Sequence, residues 1–144
     1  MTTTFYSART TPGSGIQPRA GLGLCAVSGS YTMLAAFLDE DVVNLVKVPA
    51  GAKVLELILD VPPLTDQADV TWDLGDATVT GRFISGGTAG RSSTGAIVRL
   101  TVVGSSQYAY TVDTFIQFQI KTVPGATAVT DGTIKLTVIY TMDL

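Results

Sequence analysis

Asp66, Asp69, Asp73 and Asp76 crowd into one short stretch and are the first groups in the chain that could do chemistry. They could serve as oxygen ligands for a hard cation, or as an acid and base pair on a glycosidic bond. Asp69 and Asp73 lie four apart, so a strand beginning at Asp69 puts both on its polar face, with Asp66 and Asp76 at its ends. A calcium site needs about six to eight oxygens, and the dense Asp-x-Asp-x-Asp-Gly loop that supplies them is missing. A solvated polar face is the simpler account of the four, and a charged turn before a strand is that of Asp39-Glu40-Asp41. The chain has no histidine, which excludes Ser-His and Cys-His nucleophile pairs and removes the commonest general base and zinc ligand. A lone Cys25 builds no thiolate cage, redox pair or internal disulfide. Gly21-Leu22-Gly23-Leu24-Cys25-Ala26 matches the dinucleotide fingerprint in letters only. A Pro-containing segment precedes it and Ser28-Gly29 follows, where a strand and a helix are required. Catalytic residues, bound metal and cofactors are therefore all expected to be absent, and the protein is expected not to be an enzyme.

Three aromatic residues remain as sugar-stacking candidates. Trp72 alternates with polar neighbours alongside Val70 and Leu74, which reads as core. Tyr108 and Tyr110 share a strand face and stay open.

The elements that would carry these residues are strands. Apolar positions recur with period two at residues 53–61, where Leu55, Leu57, Leu59 and Val61 share one face and Val54, Glu56, Ile58 and Asp60 the other. The same alternation marks Val70, Trp72 and Leu74; Val98, Leu100 and Val102; Ile116, Phe118 and Ile120; and Ile134, Leu136, Val138, Tyr140 and Met142. Further strands are expected at 22–27, 31–37, 42–48, 79–84 and 107–111. Gly, Pro, Asp and Ser clusters punctuate them, among them Ser28-Gly29-Ser30, Pro62-Pro63, Gly75-Asp76, Gly86-Gly87 and Pro124-Gly125. Residues 85–95 and 122–132 read as longer loops. Thr fills many polar strand positions, as at Thr71, Thr101, Thr133 and Thr137, and β-branched side chains suit a pleated surface. The expected fold is all-β, a two-sheet β-sandwich with jelly-roll topology.

Only 15% of the 144 residues are charged while 46% are hydrophobic, which argues for one packed domain over a disordered chain. The net charge of −3 is unevenly spread. Residues 1–38 hold Arg9 and Arg19 and no acid, whereas the acids concentrate in residues 39–76. No basic stripe exists to neutralise phosphates, so nucleic acid is not an expected partner. No apolar run is long enough for a membrane span, and the opening Met1-Thr2-Thr3-Thr4 lacks the regions of a signal peptide; neither secretion nor membrane attachment is expected. Residues 1–20, broken by Pro12, Gly13, Gly15 and Pro18, read as an extended N-terminal arm that orders on a neighbouring subunit. Phe5, Tyr6, Arg9 and Arg19 are its protein-contact candidates. Residues 21–144 form the sandwich domain.

Several segments together resemble a known family. They are Val48-Pro49-Ala50-Gly51-Ala52-Lys53-Val54-Leu55-Glu56, Leu74-Gly75-Asp76, Arg82-Phe83-Ile84 and the ending Gly132-Thr133-Ile134-Lys135-Leu136-Thr137-Val138-Ile139-Tyr140. Over residues 41–144 the chain is similar to small β-sandwich structural proteins of tailed bacteriophages, in particular jelly-roll capsid cement or decoration proteins. The resemblance implies a virion protein, made in the host cytoplasm, that binds the capsid exterior through the major capsid protein and stabilises the shell. It also implies a homo-oligomer, with a homodimer favoured over a trimer and residues 132–140 as a strand that pairs across the two-fold. The competing reading is a carbohydrate- or receptor-binding β-sandwich module, such as a phage fibre or tail component.

Overall fold

The computed structural model describes residues 4–6, 24–35, 37–64, 70–91, 95–102, 107–122 and 132–142. Nine strands follow in chain order: β1 Thr4–Tyr6, β2 Leu24–Thr32, β3 Val42–Val48, β4 Ala52–Val61, β5 Thr71–Gly75, β6 Ile84–Gly87, β7 Ala96–Thr101, β8 Thr114–Thr122 and β9 Thr133–Met142. β2 pairs with β9, β3 with β8, β4 with β7 and β5 with β6, all antiparallel. Strands β2 to β9 therefore form one nested hairpin. Antiparallel joins of β4 to β9 and of β5 to β8 roll it into two sheets, ordered β2-β9-β4-β7 and β3-β8-β5-β6. This is the expected jelly roll. β1 extends the second sheet to five strands, running parallel to β3 with Phe5 opposite Val43.

Alternation builds the core. Ile116, Phe118 and Ile120 of β8, Trp72 and Leu74 of β5, and Ile134, Leu136 and Val138 of β9 point between the sheets and are essentially inaccessible. Burial of each large side chain stabilises by roughly 1.5–3 kcal/mol. Trp72 sits at the centre, its ring 5.0 Å from Phe118. Its indole Nε1 donates to the Ala89 carbonyl at 2.9 Å, so the one polar atom of the ring is satisfied. Ring contacts continue from Phe118 to Phe37 at 6.4 Å, to Tyr31 at 6.3 Å and to Phe5 at 5.1 Å. A row of aromatic rings thus ties the N-terminal strand to the middle of the sandwich.

The structure departs from the sequence pattern in five places. Residues 22–27 and 31–37 were expected as two strands around a Ser28-Gly29-Ser30 turn. Instead β2 runs unbroken through that tripeptide, because β9 pairs with Ser28, Gly29 and Ser30 in continuous register; the described residues 33–35 and 37 carry no strand, although Met33 and Phe37 are buried. A bulge between Val54 and Glu56 lets Leu55 interrupt the pairing with β9. Val54 is therefore buried with Leu57, Leu59 and Val61, while Leu55 is only half-buried. Residues 79–83 form a turn, and strand geometry begins only at Ile84 and runs to Gly87, into the stretch 85–95 expected as a loop. Residues 107–111 contribute a single bridge, Ala109 to Lys53. Finally, β9 lies between β2 and β4, so both of its hydrogen-bonding edges are taken and it cannot pair across a two-fold. The sheet edges are β2 and β7 on one side of the sandwich and β1 and β6 on the other.

Gly87 supplies a test of this core. A Cβ there would come within 2.6 Å of the Trp72 ring. Gly87→Ala is expected to lower stability by about 1–3 kcal/mol, read as a lower urea midpoint at unchanged slope. The fluorescence of the sole tryptophan should shift with it, and an unchanged midpoint and spectrum would contradict the packing described.

Candidate interaction surfaces

Asp73 and Asp76 are buried rather than solvated; Asp66 and Asp69 lie outside the described residues. Asp73 Oδ2 accepts from the Thr80 hydroxyl at 3.1 Å and Oδ1 from the Gly86 N–H at 2.9 Å. Asp76 Oδ1 accepts from the N–H groups of Thr78 and Val79 at 3.0 and 2.9 Å, the hydrogen-bonded turn that aspartate favours at this spacing. Its Oδ2 accepts from the Tyr110 hydroxyl at 2.9 Å and from Arg82 Nε in a close ion pair. Every carboxylate oxygen of the pair is thereby occupied. Among the described residues no group of three or more His, Cys, Asp or Glu side chains is placed to hold a metal. Asp39-Glu40-Asp41 forms the expected charged turn, with Asp41 Oδ2 accepting from the Leu38 N–H at 2.8 Å.

The 76–82 turn closes against the end of β5. Gly75 lacks a side chain where one would strike the carbonyls of Val79 and Thr80 at 2.3 and 2.4 Å, so the turn can fold back over it. Burial pushes the Asp76 carboxyl up, but the Arg82, Val79 and Tyr110 hydrogen bonds and the Arg82 charge outweigh that and hold it below the usual carboxylate range. Burial, followed by the neighbouring Asp76 charge, drives the Tyr110 phenol well above its ordinary value, so it acts here as a fixed donor. The bond to Asp76 raises the Arg82 guanidinium further, leaving the ion pair fully charged.

Tyr108 and Tyr110 do not share an environment. Tyr110 is buried, whereas Tyr108 is 39% exposed; their rings meet edge to face at 4.9 Å. The Arg82 guanidinium lies 3.7 Å over the Tyr108 ring and occupies the face that a sugar would need. The two tyrosines make no joint stacking platform. Val112 is exposed and, with the two tyrosines, Asp76 and Arg82, lines a cleft of about 170 Å³. The cleft thus sets the hydroxyls of Thr78, Thr111 and Thr114 and the exposed Val112 around a charge-neutralised pair, Asp76 with Arg82. Periodicity placed the tyrosines on one strand face, but this stretch forms only the single bridge at Ala109, and the two rings differ in burial.

Of the arm candidates, Phe5 packs on the chain's own Tyr31 and Phe37, at 5.1 and 6.0 Å, and the backbone of Tyr6 pairs opposite Asn44. Arg9 and Arg19 lie outside the described residues, as does the boundary at residue 20. Leu24, Leu34, Leu38 and Ile97 are exposed elsewhere on the surface.

No protein-family model matches the chain, and no curated protein matches it. Solved structures do. A chain of the capsid of Ralstonia phage GP4 superposes with a TM-score of 0.73 at 20% identity, covering 98% of this chain and 99% of that one. A chain of the cyanophage Pam1 capsid asymmetric unit gives 0.70 at 23% identity, over 88% and 91%. A chain of the acid-stable capsid of Helicobacter pylori bacteriophage KHP30 gives 0.52 at 20% identity, over 84% and 94%. At these identities the likeness establishes a shared fold.

The Asp76 cluster predicts a pH dependence. Its carboxyl titrates lower in the folded chain than in the unfolded one, whose value is about 3.9. It therefore adds stability above that value, lost as pH falls through the folded value. Asp76→Asn is expected to cost about 3 kcal/mol at pH 7, because Arg82 is left without its partner, and the deficit should shrink at pH 3. Urea denaturation at both pH values checks this; a deficit independent of pH would contradict it. Tyr110→Phe should cost about 2 kcal/mol without abolishing the ion pair.

Proposed function

We propose that the chain is a non-enzymatic structural component of a phage capsid, and more specifically a cement protein that binds the shell exterior and stabilises it through protein-protein contacts. The observation that carries this reading is reciprocal coverage. The likeness to a chain of the phage GP4 capsid spans 98% of this chain and 99% of that one, so the jelly roll corresponds along its whole length. The internal chemistry agrees. Asp73 and Asp76, the two described members of the acidic cluster, are engaged in holding turns, and the sequence has no histidine.

The major capsid protein is the proposed partner, the virion exterior the proposed location and a homodimer the proposed assembly. The arm, residues 1–20, is proposed to reach neighbouring subunits through Tyr6, Arg9 and Arg19, with Phe5 fixing its root to the sandwich. Two arginines without an acid suit an acidic neighbour, and the acids of this chain concentrate beyond residue 38.

Co-sedimentation with shells of the corresponding phage, stripped of this protein, tests the reading. Saturable binding at a copy number set by icosahedral symmetry is the expected outcome, with stripped shells regaining resistance to heat. Replacing Tyr6, Arg9 and Arg19 together by Ala should weaken binding about tenfold or more while leaving the unfolding midpoint in place. Failure to bind, combined with glycan binding lost on Tyr108→Ala, would favour a receptor-binding module instead.

A further inference from the structure

The outward face of the five-stranded sheet holds a polar groove of about 640 Å³. Outer faces of sandwiches are ordinarily solvated, yet Asn44, Gln117 and Gln119 on this one are only 6–7% exposed. They form its floor. Asn44 of β3 lies opposite Gln117 of β8, and Asp73 of β5 lies opposite Gln119. The walls come from Thr4 of β1 and from Thr78 and Thr80 of the Asp76 turn. Gln119 Nε2 donates to Glu40 Oε2 at 2.8 Å, which fixes the orientation of the amide. Its Oε1 is buried and has no hydrogen-bond partner. A buried acceptor left unmade is unfavourable, and a donor arriving along the groove relieves it.

The groove's chemistry selects the donor. Its lining includes Asp113 but no base, so phosphates and carboxylates are disfavoured. Its one aromatic residue, Phe115, carries the Lys47 ammonium over its ring at 5.6 Å, which competes with a stacked sugar. Primary amides offer the same donor and acceptor as a peptide group. Gln117 and Gln119 are two residues apart on an extended strand, about 6.7 Å, which is also the two-residue repeat of an extended polypeptide.

We propose that this groove binds an extended, acid-free polypeptide segment, and that the segment is the arm of a second copy of this chain, residues 7–20. These residues contain Ser7, Thr10, Thr11, Ser14 and two arginines but no acid, as a neutral to acidic groove requires. The arm's root is also at hand. β1 is the edge strand of this sheet and Thr4 is part of the groove wall, so a two-fold across that edge sets each root beside the other copy's groove. The inference rests on the arm contacts proposed above, but not on the presence of a shell.

The test uses the full-length chain without capsid. In a Cys25→Ser background, one preparation carries Thr11→Cys and another Thr78→Cys; both are mixed and treated with a short bismaleimide. A cross-linked heterodimer is expected, together with a dimer by sedimentation velocity. Adding Gln119→Leu should weaken the dimer about tenfold at an unchanged unfolding midpoint of the diluted monomer. Absence of the cross-link, with both cysteines shown to be reactive, would overturn the proposal. So would a cross-link formed only within one chain in a third preparation carrying both cysteines, which would place the arm on its own groove. Loss of capsid binding with the heterodimer intact would instead count against the cement reading alone.

Discussion

Contact between two apolar sheet faces is what the rest of this structure depends on, because its lone cysteine forms no internal disulfide that could share the task. The contact is centred on Trp72 against Phe118, one ring from each of two adjacent strands in the same sheet, with Ile134, Leu136 and Val138 facing them from the other. The nested hairpin explains why so few residues suffice. β8 and β9 are each paired on both sides, so the two strands with the cleanest alternation are also the most central. Their inward residues belong to the one buried apolar cluster between the sheets.

How legible this was in the sequence followed how local its cause was. β4, β5, β7, β8 and β9 show period two because each turns one apolar face toward the space between the sheets, and alternation is a property of the strand alone. The bulge at Leu55 has no such signature. It depends on what β9 and Val102 offer, the latter donating to the Leu55 carbonyl at 2.7 Å. Ser28-Gly29-Ser30 reads as a turn on composition, yet a continuous partner strand overrides that preference. The jelly-roll topology was legible only as the commonest way to fold about eight short strands. Of the interaction surfaces, the tyrosines were visible as candidates but their separation was not, and the amide groove was missed because Asn44, Gln117 and Gln119 look like ordinary solvated positions.

The aspartates show how a motif that suggests chemistry can be absorbed by architecture. Asp73 and Asp76 stand at the exit of β5, where the chain must turn back sharply over Gly75, and the turn exposes N–H groups that need acceptors. Carboxylates satisfy several such groups at once. Arg82 and Tyr110 then neutralise the charge left behind. The density of acid in residues 66–76 therefore reflects, at least at its two described members, the demands of a tight reversal. The same arrangement fixes the wall of the amide groove, since Thr78 and Thr80 belong to that turn, so the ion pair and the groove are mechanically one unit.

That unity bears on how the surface works. An interface built from surface charge weakens with salt, whereas neutral amides and hydroxyls hold their hydrogen bonds across a wide range of ionic strength. Here Asp76 is paired with Arg82 and Glu40 with Lys121, Asp113 is the one charged side chain in the groove lining, and the rest of what a partner meets is mostly amide and hydroxyl. Each such contact is weak, and strength must come from several being made together. An arm tethered to a folded root is suited to that, since its second and third contacts are intramolecular once the first is made. On the reading proposed, the sandwich is the rigid part that presents these weak contacts in register, and assembly supplies the number of them.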